Sequence, residues 1–499
     1  MGQDATRRNF LIGGALATGG VASAQPGSKG GDDPAEFPRT HPGRGGPVGS
    51  QTDRGRLVAG YRKPGLEPVP VHMPDVPTLD WKMVGGVKEF RLTIEPVRRE
   101  FLPGMSFWTW SFNGSNPGPL IEAVAGDRVR FVVKNALPEP TTVHWHGLEL
   151  PIKFDGEPGL SQDPIPPGGT FVYEYDLHQD GTFFYHSHGA MQEIMGASGL
   201  FVIHPKAAYD PAVDRDFGLV FHEWAVLPQS DIPNSLAQDF NFMTVNGRSG
   251  PYTTPLVCKL GERVRVRLMN LSPMNHHPIH LHGHTFWTTG TEAGRIPEGA
   301  WVPGNTVLVG VGQSRDVEFV ANNPGDWLLH CHILHHMMNH MVTMVRMPDL
   351  RGQMTHGSRP PTDIGPAVGQ PNGGAALAPD SGPGLGAGTG AGTTSDRRVL
   401  TGPPVGEKGS DPRFQVPGFP QDMMDMKLMQ TAMMADKLNK PETAGMRKNW
   451  FLGPHGMMTV LRVLPAELFD RVTTGEGDIP SGASAPDAGP GMLPAMKGK

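Results

Sequence analysis

Gly325-Asp-Trp-Leu-Leu-His330-Cys331-His332-Ile-Leu-His335-His336-Met337-Met338-Asn339-His340-Met341 gathers one thiol, five imidazoles and three thioethers within seventeen residues. Sulfur donors suit soft or borderline metals, and imidazole suits copper, zinc or iron. One Cys with two His and a weak axial Met is the donor set of a blue-copper electron-transfer centre. Cys331, His336 and Met341 supply three of these, so a further His must come from elsewhere in the chain. Successive side chains of an extended strand face opposite ways. Read as a strand, His330-Cys331-His332 turns the thiol to one face and both imidazoles to the other. Two metal sites would then be joined through a few covalent bonds. A structural zinc site, or a buried thiol among unrelated histidines, has no use for a second site behind the Cys.

Working outward from this stretch, the chain contains five His-x-His pairs, all between His144 and His332. Chance placement of its histidines predicts roughly one. On a strand, each pair points two imidazoles to one side. The pairs also fall in two similar segments. Ala125-Gly-Asp-Arg-Val-Arg-Phe-Val-Val-Lys-Asn135 matches Leu260-Gly-Glu-Arg-Val-Arg-Val-Arg-Leu-Met-Asn270, each a turn followed by an alternating strand. His144-Trp-His146-Gly and His280-Leu-His282-Gly follow, then Gly181-Thr-Phe-Phe-Tyr-His186-Ser-His188 and Gly325-Asp-Trp-Leu-Leu-His330-Cys-His332. An offset of about 135 to 145 residues throughout predicts two copies of one all-β unit, each the size of a Greek-key sandwich. Eight imidazoles, two pairs from each copy, suffice for a three-metal cluster at a domain interface. His277, just before Pro278 and out of phase with His280 and His282, is the natural fourth donor for the Cys331 site.

His144-Trp-His-Gly, His186-Ser-His, His277-Pro-Ile-His-Leu-His-Gly-His284 and His330-Cys-His-x3-His336-x4-Met341 resemble, in order and internal spacing, the four copper motifs of the multicopper oxidases. The likeness runs over about residues 85 to 350. The first and third motifs are only about 135 residues apart, which leaves no room for a middle domain. The chain is therefore similar to the two-domain, laccase-like members with type 1 copper in the second domain. The resemblance implies two tandem cupredoxin-like β-sandwiches and four coppers per chain-equivalent: one type 1, one type 2 and two type 3. It implies type 1 ligation by His277, Cys331, His336 and axial Met341, and type 2 ligation by His144 and His280. His146, His186, His188, His282, His330 and His332 would hold the type 3 pair. His276, His284, His335 and His340 match no ligand position, and Met337 and Met338 stand at the wrong distance from His336. Asp155, before Gly156, reads either as a turn residue or, as in the family, as a proton donor beside the cluster. Met337 replaces a Glu that some members carry after the His336 position.

The implied reaction is one-electron oxidation of a phenolic or similar reductant near the exposed edge of His277 or His336. Electrons would pass through Cys331 to His330 and His332, and O2 would be reduced to water at the trinuclear cluster. Two-domain relatives complete that cluster between neighbours in a homotrimer. A cuprous oxidase serving copper tolerance is the alternative. Nitrite reductase is disfavoured because its Cys lies in the first domain, where this chain has Ser187, and because the trinuclear set is complete. A copper carrier would not consume oxygen.

The rest of the chain sets the context. Thr6-Arg7-Arg8-Asn9-Phe10-Leu11, an apolar run to Val21 and Ala22-Ser-Ala24 form a twin-arginine-type signal over residues 1–24. This predicts bacterial export to the periplasm or beyond. Residues 25–80 read as an extended arm, 81–207 and 208–350 as the two domains, and 351–420 as a flexible linker rich in Gly and Pro. Residues 421–472 form a Met-rich extension, and 473–499 a disordered tail. Met423 to Met434 is either an apolar helical stripe or a Cu(I)-binding tract. Gly456 to Asp470 reads as a strand and a short helix that docks on the body. A net charge of −6 gives no reason for a nucleic-acid partner, and no stretch is long enough to span a membrane. With Cys331 on a metal, Cys258 has no disulfide partner and reads as a core thiol.

Overall fold

The computed structural model describes residues 68–226, 230–337, 436–447, 450–452 and 455–484. The leader, most of the arm, the linker, Met338, His340, Met341 and the 423–434 Met tract therefore lie outside the described residues. Among those described, strands dominate and the longest helix is Ala466–Thr474, so the chain is all-β as the alternating patterns require.

In the first domain a sheet of Trp81–Val84, Val87–Leu102, Arg128–Asn135 and Thr170–Asp176, with Met105–Phe112 alongside, faces a second sheet. That second sheet runs Gly118–Val124, Ser198–His204, Gly181–Ser187, Val143–His146. Phe90, Phe131, Trp145, Tyr173, Tyr185 and Phe201 fill the space between. Phe131 lies against Trp145 with ring centroids 4.1 Å apart. In the second domain an eight-stranded sheet built on Arg215–Trp224, Arg263–Asn270, Ser314–Val320 and Phe286–Thr291 faces a five-stranded one. The five run Leu256–Lys259, Met458–Leu464, Gly325–Cys331, His277–Leu281, Thr306–Val309.

The domains stack sheet on sheet. Leu120, Phe184, Leu200 and Val202 leave the outer face of the first domain's four-stranded sheet. They pack on Val220 and Met269 of the eight-stranded sheet and on Leu271 just past its end. Thr182 of the first domain accepts from Arg267 at 2.6 Å and donates to Asp316 at 2.7 Å, so an ionic cluster pins the same seam. The order of layers is five-stranded, four-stranded, eight-stranded, five-stranded, with the last sheet's outer face turned away from the first domain.

Three boundaries differ from the sequence reading. The tail expected to be disordered from 473 is placed through Ser484, which is buried and donates to Asp326 at 2.5 Å. The second domain does not close at 350: Met458–Leu464 lies inside its sheet, parallel to Leu256–Lys259 and antiparallel to Gly325–Cys331. All seven residues of this strand are buried, and Arg462 is held by Asp326 at 2.8 Å. Without it the Cys331 strand would present an unpaired edge. Upstream, Val71–His72 of the expected arm pairs with Asp216 and Phe217 of the second domain.

Candidate metal centres

Burial of the residue between each pair of histidines decides where the imidazoles go. Trp145 is fully buried in the first core, which turns His144 and His146 to the sheet's other face. Ile279 and Leu281 enter the second core and expel His280 and His282. Cys331 enters that core at 0% exposure, so His330 and His332 go outward with them.

His277, Cys331 and His336 converge beneath the five-stranded sheet, all buried. The Cys331 Sγ stands 3.7 Å from His277 Nδ1 and 3.5 Å from His336 Nδ1, and the two Nδ1 atoms are 3.2 Å apart. Three donors about 2.0–2.3 Å from one ion, spread at tetrahedral to trigonal angles, stand about 3.3–3.8 Å apart. The triangle therefore fits a single ion, and a thiolate with two imidazoles suits copper. Ser272 Oγ lies 2.6 Å from His277 Nε2 and fixes that ring with its Nδ1 inward. Burial drives the His277 imidazolium well down, lowers His336 to about 4 and pushes the Cys331 thiol up to about 12. Both imidazoles are thus neutral near pH 7 and hold a free lone pair. The thiol gives up its proton only to a strong Lewis acid.

The other imidazoles form two groups. In the first domain, the donor atoms of His144, His146 and His186 lie within 4.8 Å of one another. The exposed His188 joins them with its ring 5.3 Å from that of His144. In the second domain His280, His282 and His330 meet the same distance limit, and the exposed His332 ring is 5.5 Å from His280. Among the described residues neither group takes a donor from the other domain.

Four of these imidazoles have their outer ring nitrogen held in one way. Nδ1–H donates to the Asp155 carbonyl from His144 at 2.6 Å and to the Ser187 carbonyl from His186 at 2.9 Å. It donates to the Asn305 carbonyl from His280 at 2.7 Å and to the Cys331 carbonyl from His330 at 2.8 Å. That tautomer leaves each Nε2 as a lone-pair donor facing the group. His186 Nε2 is buried without a hydrogen-bond partner, and His282 and His330 bring their Nε2 atoms within 3.1 Å. Nitrogens aimed at each other in this way fit shared metal ions. Burial lowers the His146 and His330 imidazoles to about 4.

Asp155 has its carboxylate 3.5 Å from His144 Nδ1, farther than its own carbonyl. It is placed there by Gly156, at φ +86°, where an added Cβ would fall 2.0 Å from the Val143 carbonyl. Two carboxylates passed over in the sequence stand beside it. Glu157 lies 2.7 Å from His188 Nδ1, and Glu193 lies 3.3 Å from His186 Nδ1. No spacing rule marks them, because a loop and a short helix carry them back to the sheet. One expectation is corrected. His277 and His336 offer no exposed edge, because both rings are buried under the sheet, whereas Met274, His276, Leu334 and His335 are exposed.

A family model described as multicopper oxidase matches residues 93–208, and a second of the same description matches 226–350. A copper resistance protein A homolog of Pseudomonas syringae pv. tomato is 37% identical over 161 residues, 32% of this chain and 27% of that protein. Laccase-2 of Botryotinia fuckeliana is 30% identical over 265 residues, 48% of this chain and 44% of that protein. The chain thus spans less than half the length of these curated relatives. The crystal structure of a blue copper oxidase from Nitrosomonas europaea is 32% identical, with a TM-score of 0.47, over 50% of this chain and 80% of that one.

Proposed function

The chain belongs to the multicopper oxidase family, and we propose that it is a laccase-like enzyme. It couples one-electron oxidation of phenolic or similar small reductants to the four-electron reduction of O2 to water. The observation that carries this reading is the Cys331 strand. One residue lies buried with His277 and His336 while its two neighbours lie in the outward histidine group.

In the proposed assignment His277, Cys331 and His336 would hold type 1 copper, with a thioether as a further, weaker donor. His144 and His280 hold type 2 copper, and His146, His186, His188, His282, His330 and His332 hold the type 3 pair. When bound, the coppers supply the electron storage and oxygen chemistry. The protein does the rest. Ser272 orients His277, and backbone carbonyls orient the outer imidazoles. The Cys331–His330 peptide is the short covalent bridge between sites. Reductant would be received at the surface of Met274, His276, Leu334 and His335. Asp155, joined by Glu157 and Glu193, stands against the first-domain imidazoles, where a carboxylate can pass protons inward as oxygen is consumed.

The layer order supports a cluster shared between chains. The first-domain histidines face the seam with the eight-stranded sheet. The second-domain histidines lie on the far side of the second sandwich, whose sheets alone are about 10 Å apart. His188, His282 and His332 are exposed, whereas a centre that reduces oxygen needs enclosure. We assign a homotrimer, a closed head-to-tail ring that joins the far face of one chain to the first domain of the next. The proposed setting is the periplasm or exterior, reached through the Arg7-Arg8 leader. Relatives named for copper resistance favour cuprous ion as a second substrate class.

Oxygen uptake against substrate oxidised tests the reaction. About four phenol oxidations per O2 without accumulated peroxide are expected. Turnover with Cu(I) but none with any phenol would move the assignment to cuprous oxidase, and no oxygen uptake with either would overturn it.

A further inference from the structure

We infer that the axial sulfur of the type 1 site is Met457, roughly 120 residues beyond His336, and that the final strand of the second domain exists partly to deliver it. This rests on the copper reading of the Cys331 pocket. Met341, at the family's usual spacing, lies outside the described residues. The Cys331 N–H donates to the Met457 carbonyl at 3.0 Å, and the Met457 N–H donates to the His336 carbonyl at 2.9 Å. One residue thus bridges two of the three donors through its backbone.

Register then places its side chain. His330 pairs with Met458 across the antiparallel ladder, which sets Cys331 opposite Met457. Directly opposed residues share a face, with Cβ atoms about 4.5–5.5 Å apart. Met458 packs with Met446 and Val460 in a separate cluster on the sheet's other face. Its Sδ lies so close to Gly250 that no Cβ would fit there. By alternation Met457 faces the Cys331 side, where it is 0% exposed and belongs to the same apolar cluster as Cys331. A flexible thioether that shares a face and an apolar cluster with the Cys331 thiol meets the requirement for a weak, long axial bond. The segment from Met338 to His455 is then a long insertion between the equatorial His336 and its axial partner. The chain rejoins at His455, whose N–H donates to the Met337 carbonyl at 3.0 Å.

The test is a redox titration and EPR spectrum of the copper-loaded full chain in four variants. Met457→Leu removes the donor at nearly constant volume and is expected to raise the type 1 potential. Met457→Gln offers a harder oxygen and is expected to lower the potential and alter the type 1 hyperfine splitting. Met341→Leu and Met337→Leu are expected to leave both readouts at wild-type values. A shift in Met341→Leu or Met337→Leu, or a pair of Met457 variants that match wild type, overturns the inference. If neither Met457 variant folds, the Met341→Leu and Met337→Leu titrations decide it by the same rule. A wild-type protein that binds copper without a blue band overturns the underlying reading. A blue wild type indifferent to Met457 overturns this inference alone.

Discussion

Asp155 touches His144 through two different groups. Its carbonyl fixes the His144 tautomer, while its carboxylate, about a third exposed, stands 3.5 Å from the same Nδ1. Asp155→Asn keeps the carbonyl and removes the acid. Copper content and the blue band are therefore expected to persist while kcat falls by about 10²-fold, the lower range for loss of a proton-transfer group. An unchanged kcat would return Asp155 to the role of a turn residue. The histidines were legible in the sequence because period-2 alternation is visible without coordinates, and a buried Trp145 or Cys331 forces its neighbours outward. Glu157, Glu193 and Ser272 were not legible, because their positions depend on how loops fold back. Met457 was hidden for a related reason: spacing favours the nearest Met, whereas cross-strand register is set by a strand far along the chain.

At the scale of elements, two features hold the site's frame. The first is the charge cluster on the eight-stranded sheet. Glu318, fully buried, meets Arg263 at 2.9 Å, Arg265 at 2.8 Å and Arg295 at 2.6 Å. Burial alone would raise its carboxyl, but the Arg265 and Arg295 guanidinium groups outweigh it and hold the carboxyl well below the usual range. Asp216 is likewise buried and net lowered by Arg267 and Arg265. A depressed carboxylate stabilises the fold above its unfolded pKa and loses that contribution as pH falls through the folded value. Glu318→Gln takes the carboxylate from Arg263 and Arg295 and leaves Arg265 only Asp216, and is expected to cost about 3–5 kcal/mol near pH 7. Denaturant titration should show the gap to wild type narrowing below about pH 4, where the carboxyl takes up a proton in the unfolded chain while it stays ionised in the folded one. A gap independent of pH would contradict the ionic account. The second feature is the Met458–Leu464 strand. Leu461 is completely buried between the sheets, and Leu461→Ala is expected to lose about 2–5 kcal/mol. A loss below about 0.5 kcal/mol would show that the strand is not integral. Its alternating apolar pattern was readable as a strand, but not its seat in the sheet, since a period identifies an element and not its neighbours.

For the whole molecule, the stacking order is the decisive fact. Both histidine groups were visible in the sequence, yet their placement on opposite sides of the second sandwich was not. That placement depends on which sheet faces the seam, and Leu120, Phe184, Val220 and Met269 settle it through their packing. If the cluster forms between chains, two inactive variants should rescue each other. His146→Ala spoils the first-domain half and His282→Ala the other. After mixing by dissociation and reassembly, about a quarter of the interfaces are expected to carry two intact halves in a closed ring. Recovery of a matching share of oxygen uptake is predicted, and a mixture that stays inactive while assembling normally would place both halves of the cluster within one chain.

The claim beneath all of this is that Cys331 binds a copper distinct from, and joined to, those held by the outward histidines. Copper analysis with optical and EPR spectra, on wild type and Cys331→Ser, tests it directly. Wild type is predicted to hold about four coppers per chain and show a blue thiolate-to-copper band. The variant is predicted to hold about three, without the band, the type 1 EPR signal or turnover. A fully reconstituted wild type that stays colourless, or takes up about one ion per chain, would contradict it.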